Sequence, residues 1–416
     1  MRRIAWVLLL LFAFAIPWEY SLDLGEPFGN VARILGLLLL LAAVPAVLQA
    51  GRLRMPGPLA WMVLAFYLWL CCTGLWTIDA DATLVKMRAY FQEMMIVWLV
   101  WEFAETPDDL RNLLRAYVAG SWVLAALTLA NFNSPEAIAA GQIRFAAYGQ
   151  DPNDVARFLD LGFPLAALLI VTERRWPARL LGIGYLPLGL FAVLLTASRG
   201  GFLAALVALA GCGLLLLRGR GKAVLAALLA LPALAAAAWF AIPDEIYMRL
   251  ATIPAQLEGG DLNQRLNIWS AGWHAFARAP LIGSGAGTFV VVAGLAPIDT
   301  AHNTALSILV SGGLCALFLA AGIVALAARA VFSVRGALRL ALGASLAVWV
   351  VTSLVATVEE SRTTWLLMGM IALAGRLAVE EPERLAACFA TGSGAAEHVV
   401  VQPSGFQPGA AQSSAS

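Results

Sequence analysis

Arg199 stands in Thr196-Ala197-Ser198-Arg199-Gly200-Gly201, between two apolar runs each long enough to cross a bilayer. A guanidinium there is costly, so it marks either a functional site or a side chain snorkelling to headgroups. The glycines allow a sharp turn, and the helix beginning at that point offers free N–H groups and the positive end of its dipole. A forked cation beside a helix N-terminus suits phosphate oxygens. Arg265 opens Arg265-Leu266-Asn267-Ile268-Trp269, where Leu266, Trp269, Trp273 and Phe276 recur at helical spacing. That pattern predicts an amphipathic helix lying in the membrane interface with Arg265 bordering its apolar face. A solvated or lipid-facing charge would give the same pattern.

His302, one of three histidines, precedes an apolar run in Ala301-His302-Asn303-Thr304. A helix N-terminus disfavours imidazolium, and a neutral ring there suits a general base acting on a hydroxyl; an interfacial cap is the simpler alternative. His274 falls about half a turn of the helical wheel from Arg265 and is assigned elsewhere, as is His398 in the C-terminal tail. Asp151-Pro152-Asn153-Asp154 reads as a capped helix start rather than a metal site, with Arg144 upstream as a third arginine able to meet phosphate. Glu359, Glu360 and Arg362 form a small charged group, either an ion pair or a support for the site. Gly283-Ser284-Gly285-Ala286-Gly287 resembles a phosphate-cradling loop, but no strand precedes it, so it is assigned as a turn. The five cysteines form no CxxC pair and imply neither a disulfide framework nor a metal site.

The elements that position these residues are transmembrane helices. Hydrophobic residues make up 61% of the 416-residue chain and charged residues 13%, too few for a water-soluble surface. Hydropathy predicts an all-α polytopic membrane protein with about twelve spans, near 3–17, 31–50, 58–77, 89–103, 113–131, 155–171, 180–197, 201–217, 223–242, 303–328, 340–357 and 364–379. The fourth is short and carries Glu93. The first is preferred to a cleaved signal peptide because Pro17, Trp18 and Tyr20 form an interfacial end. With the N-terminus inside, short inner segments and chain ends hold 17 of the 27 Lys and Arg residues: Arg2, Arg3, Arg52, Arg54, Arg111, Arg115, Arg174, Arg175, Arg179, Arg218, Arg220, Lys222, Arg329, Arg335, Arg339, Arg376 and Arg384. Parity then puts a loop of residues 243–301 outside, between spans nine and ten, in a membrane domain of residues 1–379. Residues 380–416 are expected to be a disordered inner tail. No repeat suggests transporter pseudo-symmetry, and the spans lack the deep polar residues of a transport path.

The ordered set Asp151-Pro-Asn153, Thr196 to Gly201, Arg265 to Trp269, Pro280-Leu-Ile-Gly-Ser-Gly285, Ala301-His-Asn303 with Leu306 and Gly312-Gly313 resembles the O-antigen ligase and O-antigen polymerase superfamily. The resemblance implies a GT-C-like, metal-independent, cofactor-free inverting glycosyltransferase at the periplasmic face of a bacterial inner membrane. Its donor would be a glycan on undecaprenyl pyrophosphate, and its acceptor lipid A-core or a growing glycan. In this scheme Arg199, Arg265 and Arg144 hold the pyrophosphate and His302 serves the acceptor hydroxyl. Asn303, Ser198, Asn153 and Glu360 support them. Membrane lipids are partners and nucleic acid is not. The outer loop is shorter than in many ligases, which leaves the acceptor open.

Overall fold

Helix starts follow local chemistry. Asn30, Asp79, Thr106, Ser134, Asp151 and Asn303 each accept a first-turn backbone N–H. Proline opens the helices beginning at Pro58, Pro107, Pro135, Pro152 and Pro382, where its missing N–H costs nothing. The computed structural model describes residues 1–25, 29–218, 225, 229 and 240–391. In order these form α1 (Arg2–Ala15), a 3-10 turn (Ile16–Ser21), α2 (Val31–Ala50), α3 (Pro58–Cys72), α4 (Ala80–Phe103), α5 (Pro107–Phe132), α6 (Pro135–Ala139), α7 (Pro152–Thr172), α8 (Trp176–Leu195) and α9 (Arg199–Arg218). Then follow α10 (Asp244–Ala251), α11 (Ile253–Glu258), α12 (Arg265–Arg278), α13 (Phe289–Ala293), α14 (Thr304–Ser333), α15 (Gly336–Ser353), α16 (Arg362–Glu380) and α17 (Pro382–Cys388). Among the described residues the only β pairing is a single bridge between Asp23 and Asn30.

Ten of these helices are long and apolar enough to span a bilayer: α1 with its 3-10 extension, α2, α3 with its own extension to Leu75, α5, α7, α8, α9, α14, α15 and α16. The chain is a multi-pass, all-α membrane protein. Of the other two expected spans, 223–242 lies almost wholly outside the described residues. The one expected at 89–103 is instead the 24-residue α4, because the Asp79 side chain caps it early and draws most of the supposed outer segment 78–88 into the helix. The 243–301 loop holds four short helices where one was expected. The tail begins with α17, whose Leu385 and the following Phe389 are buried, with the guanidinium of Arg111 stacked over Phe389 at 5.3 Å. The expectation of disorder beyond 391 falls outside the described residues.

α7 is the axis of the molecule, enclosed by α5, α8, α9 and α15. Tyr117 of α5 and Tyr185 of α8 donate to the carbonyls of Phe158 and Leu159 on it, satisfying polar groups that lipid could not. A second packing centre joins α12 to α14 through Ile268, Ala275, Phe289, Leu306 and Val310.

α14 is broken at Gly313 (φ 69°, ψ −165°), and Pro280 to Gly285 insert into the break. Leu314 N–H donates to the Pro280 carbonyl at 2.9 Å and Cys315 N–H to that of Leu281 at 3.2 Å. In return, Ser284 and Gly285 N–H reach the carbonyls of Val310 and Ser311 at 2.9 and 3.0 Å. Trp69 Nε1 donates to the Gly312 carbonyl (2.8 Å) and Trp76 Nε1 to that of Gly283 (3.2 Å). The glycine-rich 283–287 segment is therefore part of a structural plug, where the sequence suggests only a turn. A Cβ on Gly313 would lie 2.3 Å from the Leu281 carbonyl, at backbone angles only glycine tolerates. Gly313→Ala is expected to cost more than about 2 kcal/mol. Fluorescence-detected size exclusion after a heat series would show it; an unchanged Tm would mean that the plug contributes nothing to the fold.

Candidate active site

The turn before α9 is built by Ala197, not by the glycines. Ala197 adopts φ 48°, whereas neither Gly200 nor Gly201 has a positive φ. Gly201 is required for another reason: a Cβ there would meet the Ala156 Cβ at 2.3 Å, so its absence lets α9 approach α7. Ser198 Oγ accepts from Gly201 N–H (3.2 Å) and donates to Asn153 Oδ1 (2.8 Å). Arg144 donates through Nη2 to the same Asn153 oxygen (2.9 Å) and through Nε to the Thr196 carbonyl (3.2 Å). One amide oxygen thus joins the 144 loop, the start of α7 and the start of α9.

Arg199 is held loosely, with Nε to the Arg249 carbonyl and Nη1 to Asn263 Oδ1, both at 3.4 Å. Arg249 Nε returns a 3.0 Å bond to the Ala197 carbonyl, so α10 and the α9 turn are tied reciprocally. Asn263 belongs to a run of three left-handed residues, Leu262 (φ 50°), Asn263 (63°) and Gln264 (67°), which ends where Arg265 begins α12. His302 itself has φ 46°. Among the described residues, every non-glycine residue with positive φ is His302 or lies within three positions of Arg199 or Arg265. Strain of this kind costs about 1–3 kcal/mol per residue and gathers where geometry serves a function.

The same groups sense one another's charge. Burial, then the neighbouring Arg249, hold the Arg144 guanidinium below its ordinary value; Arg265 and Arg199 push the same way and Asp151 opposes them. Burial lowers Arg265 as well, with Asp151 raising it and Arg199 adding to the depression. Arg249 is lowered by burial and by Arg199. Four cations share the site. Asp151 is the nearby carboxylate that Arg144 and Arg265 sense; its Oδ1 also caps α7, accepting from Asn153 N–H at 2.7 Å. Asp154 pairs with Arg157 at 3.1 Å. The capping role expected for Asp151 is what the geometry gives.

His302 joins this group through α12, whose Trp269 Nε1 donates to the Ala301 carbonyl at 3.1 Å. Burial, then Arg265, lower the imidazole below its ordinary value, against Asp151, Asp299 and Asp154. The ring is half-buried, with Nδ1 3.3 Å from Thr300 Oγ1. Asn303 is the cap of α14: its Oδ1 accepts from Leu306 N–H at 2.9 Å and its Nδ2 donates to the Leu354 carbonyl at 3.1 Å.

Two sequence expectations change here. The face proposed for α12 is divided: Ile268, Gly272 and Ala275 are buried, while Leu266 and Trp273 are exposed, because the helix packs on α14 as well as facing outward. The 359–362 group also separates. Glu360 pairs with Lys86 at 2.6 Å, Arg362 binds Glu19, and Glu359 is buried beside Ser307 and Thr304. None of the three forms an ion pair with another, and Glu360 is engaged away from the arginines. His274 stands apart, on the Ser270 carbonyl at 2.7 Å.

Arg249 was missed by sequence reasoning. It is a basic residue in the 243–301 loop, and the exception to the inner-loop charge pattern that singled out Arg199 would have found it too.

Comparison with curated proteins gives no match. A family model described as O-antigen ligase matches residues 184–321. The matched third of the chain runs from α8 through Arg199, Arg249, Arg265 and His302 to the break in α14 and the segment that fills it. Over these residues the chain is similar to the O-antigen ligase family.

Proposed function

We propose that this protein moves a completed glycan from undecaprenyl pyrophosphate to a lipid A-core acceptor at the periplasmic face of the bacterial inner membrane. One observation carries the proposal. Arg144, Arg199 and Arg249 hydrogen-bond around the turn before α9, Arg199 reaches Asn263 just before Arg265, and Asp151 is the carboxylate that Arg144 and Arg265 sense, at a site held by strained backbone. Such a cluster is unfavourable when empty and is relieved by a polyanion; a pyrophosphate fits its charge and the forked donors. The 17 Lys and Arg residues on the opposite loops and chain ends support the periplasmic side.

The chemistry asks for little more. The Nε2 or Nδ1 lone pair of neutral His302 takes the proton of the acceptor hydroxyl, whose oxygen attacks the anomeric carbon. The bond from that carbon to the pyrophosphate oxygen breaks as the new glycosidic bond forms, so the configuration inverts. Charge grows on the departing undecaprenyl pyrophosphate, where the arginines supply the stabilisation that a metal ion supplies in other transferases. The membrane domain 1–379 is the catalytic unit in this scheme, with Asn153 and Ser198 positioning Arg144 and the α9 turn. Asn303 fixes the helix start behind His302.

Lipopolysaccharide gels of a deletion strain test the acceptor. A ligase mutant loses every O-antigen band from the core. Retention of core bearing a single repeat unit would instead identify a polymerase.

A further inference from the structure

A second lipid site lies on the rim of the bundle, apart from the arginine cluster. α2 packs on α1 and on the 3-10 turn, which leaves a groove of about 300 Å³ between α2 and α4. Leu37 and Leu40 form one wall and Met95 and Leu99 the other. Arg33 and Arg362 line it as well, Arg33 in the first turn of α2 and Arg362 at the first residue of α16. From Arg33 to Leu40 a helix advances about 10 Å, most of the way through a leaflet of roughly 15 Å. The groove therefore has cations at headgroup depth and a mostly apolar body beneath them, which Phe12, Phe91 and Gln92 also line.

Each arginine has free capacity. Among the described residues Arg33 has no acidic partner, and Arg362 bonds only to Glu19, through Nη1. A guanidinium carries five donors. We propose that this groove binds one anionic phospholipid of the same leaflet, its phosphate on Arg33 and Arg362 and one acyl chain between α2 and α4. Charge complementarity and size select this occupant. Two arginines oppose docking of a second copy of the same face, and the volume suits part of a single chain rather than a multiply acylated glycolipid.

The site is linked to the arginine cluster by packing. Glu19 bonds Arg362, and the 3-10 turn that carries Glu19 packs on α7, where Arg157 pairs with Asp154 in the first turn next to Asn153. A phosphate on Arg362 would therefore brace the 3-10 turn against the start of α7 without touching the reacting groups.

Native mass spectrometry of the full chain tests this. The purified protein is exchanged into detergent doped with equal phosphatidylglycerol and phosphatidylcholine of identical chains. One phosphatidylglycerol should be retained over phosphatidylcholine. Arg33→Gln should lower that retention about fivefold, the worth of one interfacial cation. Leu37→Trp, which fills the groove from an exposed position, should lower it at least as much while the elution volume stays unchanged. Equal retention of both phospholipids, or full retention by both variants, would each overturn the proposal.

Discussion

Replacing Arg199 by alanine is expected to lower kcat/KM for glycan transfer by about 10²- to 10³-fold, the worth of one preorganised donor at developing charge. The fold should survive. Both hydrogen bonds of Arg199 are 3.4 Å long, at the limit of the interaction, so they add little to stability. Arg199→Lys should recover only part of the loss, because an ammonium offers a point charge where the guanidinium offers a planar fork for two oxygens. A purified-component assay with a polyprenyl-pyrophosphate donor measures this directly. If lysine restored full rate, Arg199 would be acting as a surface charge and the bidentate role would fail.

The second large effect belongs to His302. Loss of the base should cost about 10²- to 10⁴-fold in kcat. Asparagine is the better probe than alanine, since His302 sits at φ 46° and asparagine accepts left-handed backbone at little cost. His302→Asn should therefore remove the base while leaving the entry to α14 intact. The pH profile carries the same claim. Burial and Arg265 hold the imidazole below its ordinary value, so the neutral form persists to lower pH. The acid limb of kcat/KM, which reports the free enzyme, should then fall only below about 6.5. Bound pyrophosphate neutralises the arginines and favours imidazolium, so the limb of kcat should lie at higher pH than that of kcat/KM. A profile in which the His302→Asn variant keeps the same acid limb would remove this histidine from the reaction.

Much of the site was legible because the relevant residues violate a pattern. Arg199, Arg265 and Arg144 are cations outside the inner loops, and His302 opens an apolar run. Those signals depend on residue type and hydropathy, which the chain displays directly. Arg249 carried the same signal but no motif to draw attention to it. The devices that position these groups were not legible. Leu262, Gln264 and Ala197 have no preference for left-handed backbone, so their φ values come from tertiary packing rather than local propensity. The insertion of 280–285 into α14 pairs polar backbone groups about thirty residues apart in sequence, and Gly312-Gly313 in an apolar run looks like an ordinary membrane helix. Helix-face arithmetic failed at α12 for a related reason. A helix packed on a second element divides its apolar residues between two directions, and spacing alone cannot assign them.

The central claim is that the arginines form one pyrophosphate site. Equilibrium binding of a fluorescent polyprenyl pyrophosphate and its monophosphate to the detergent-solubilised full chain tests it most directly, with Arg144→Gln, Arg199→Gln and Arg265→Gln alongside. The account predicts that the wild type prefers the diphosphate by about tenfold or more, as charge-assisted bidentate bonds to a second phosphate require. Each variant should lose most of that preference while binding the monophosphate more nearly as before. Equal affinity for the two lipids in the wild type, or an unchanged preference in all three variants, would contradict it.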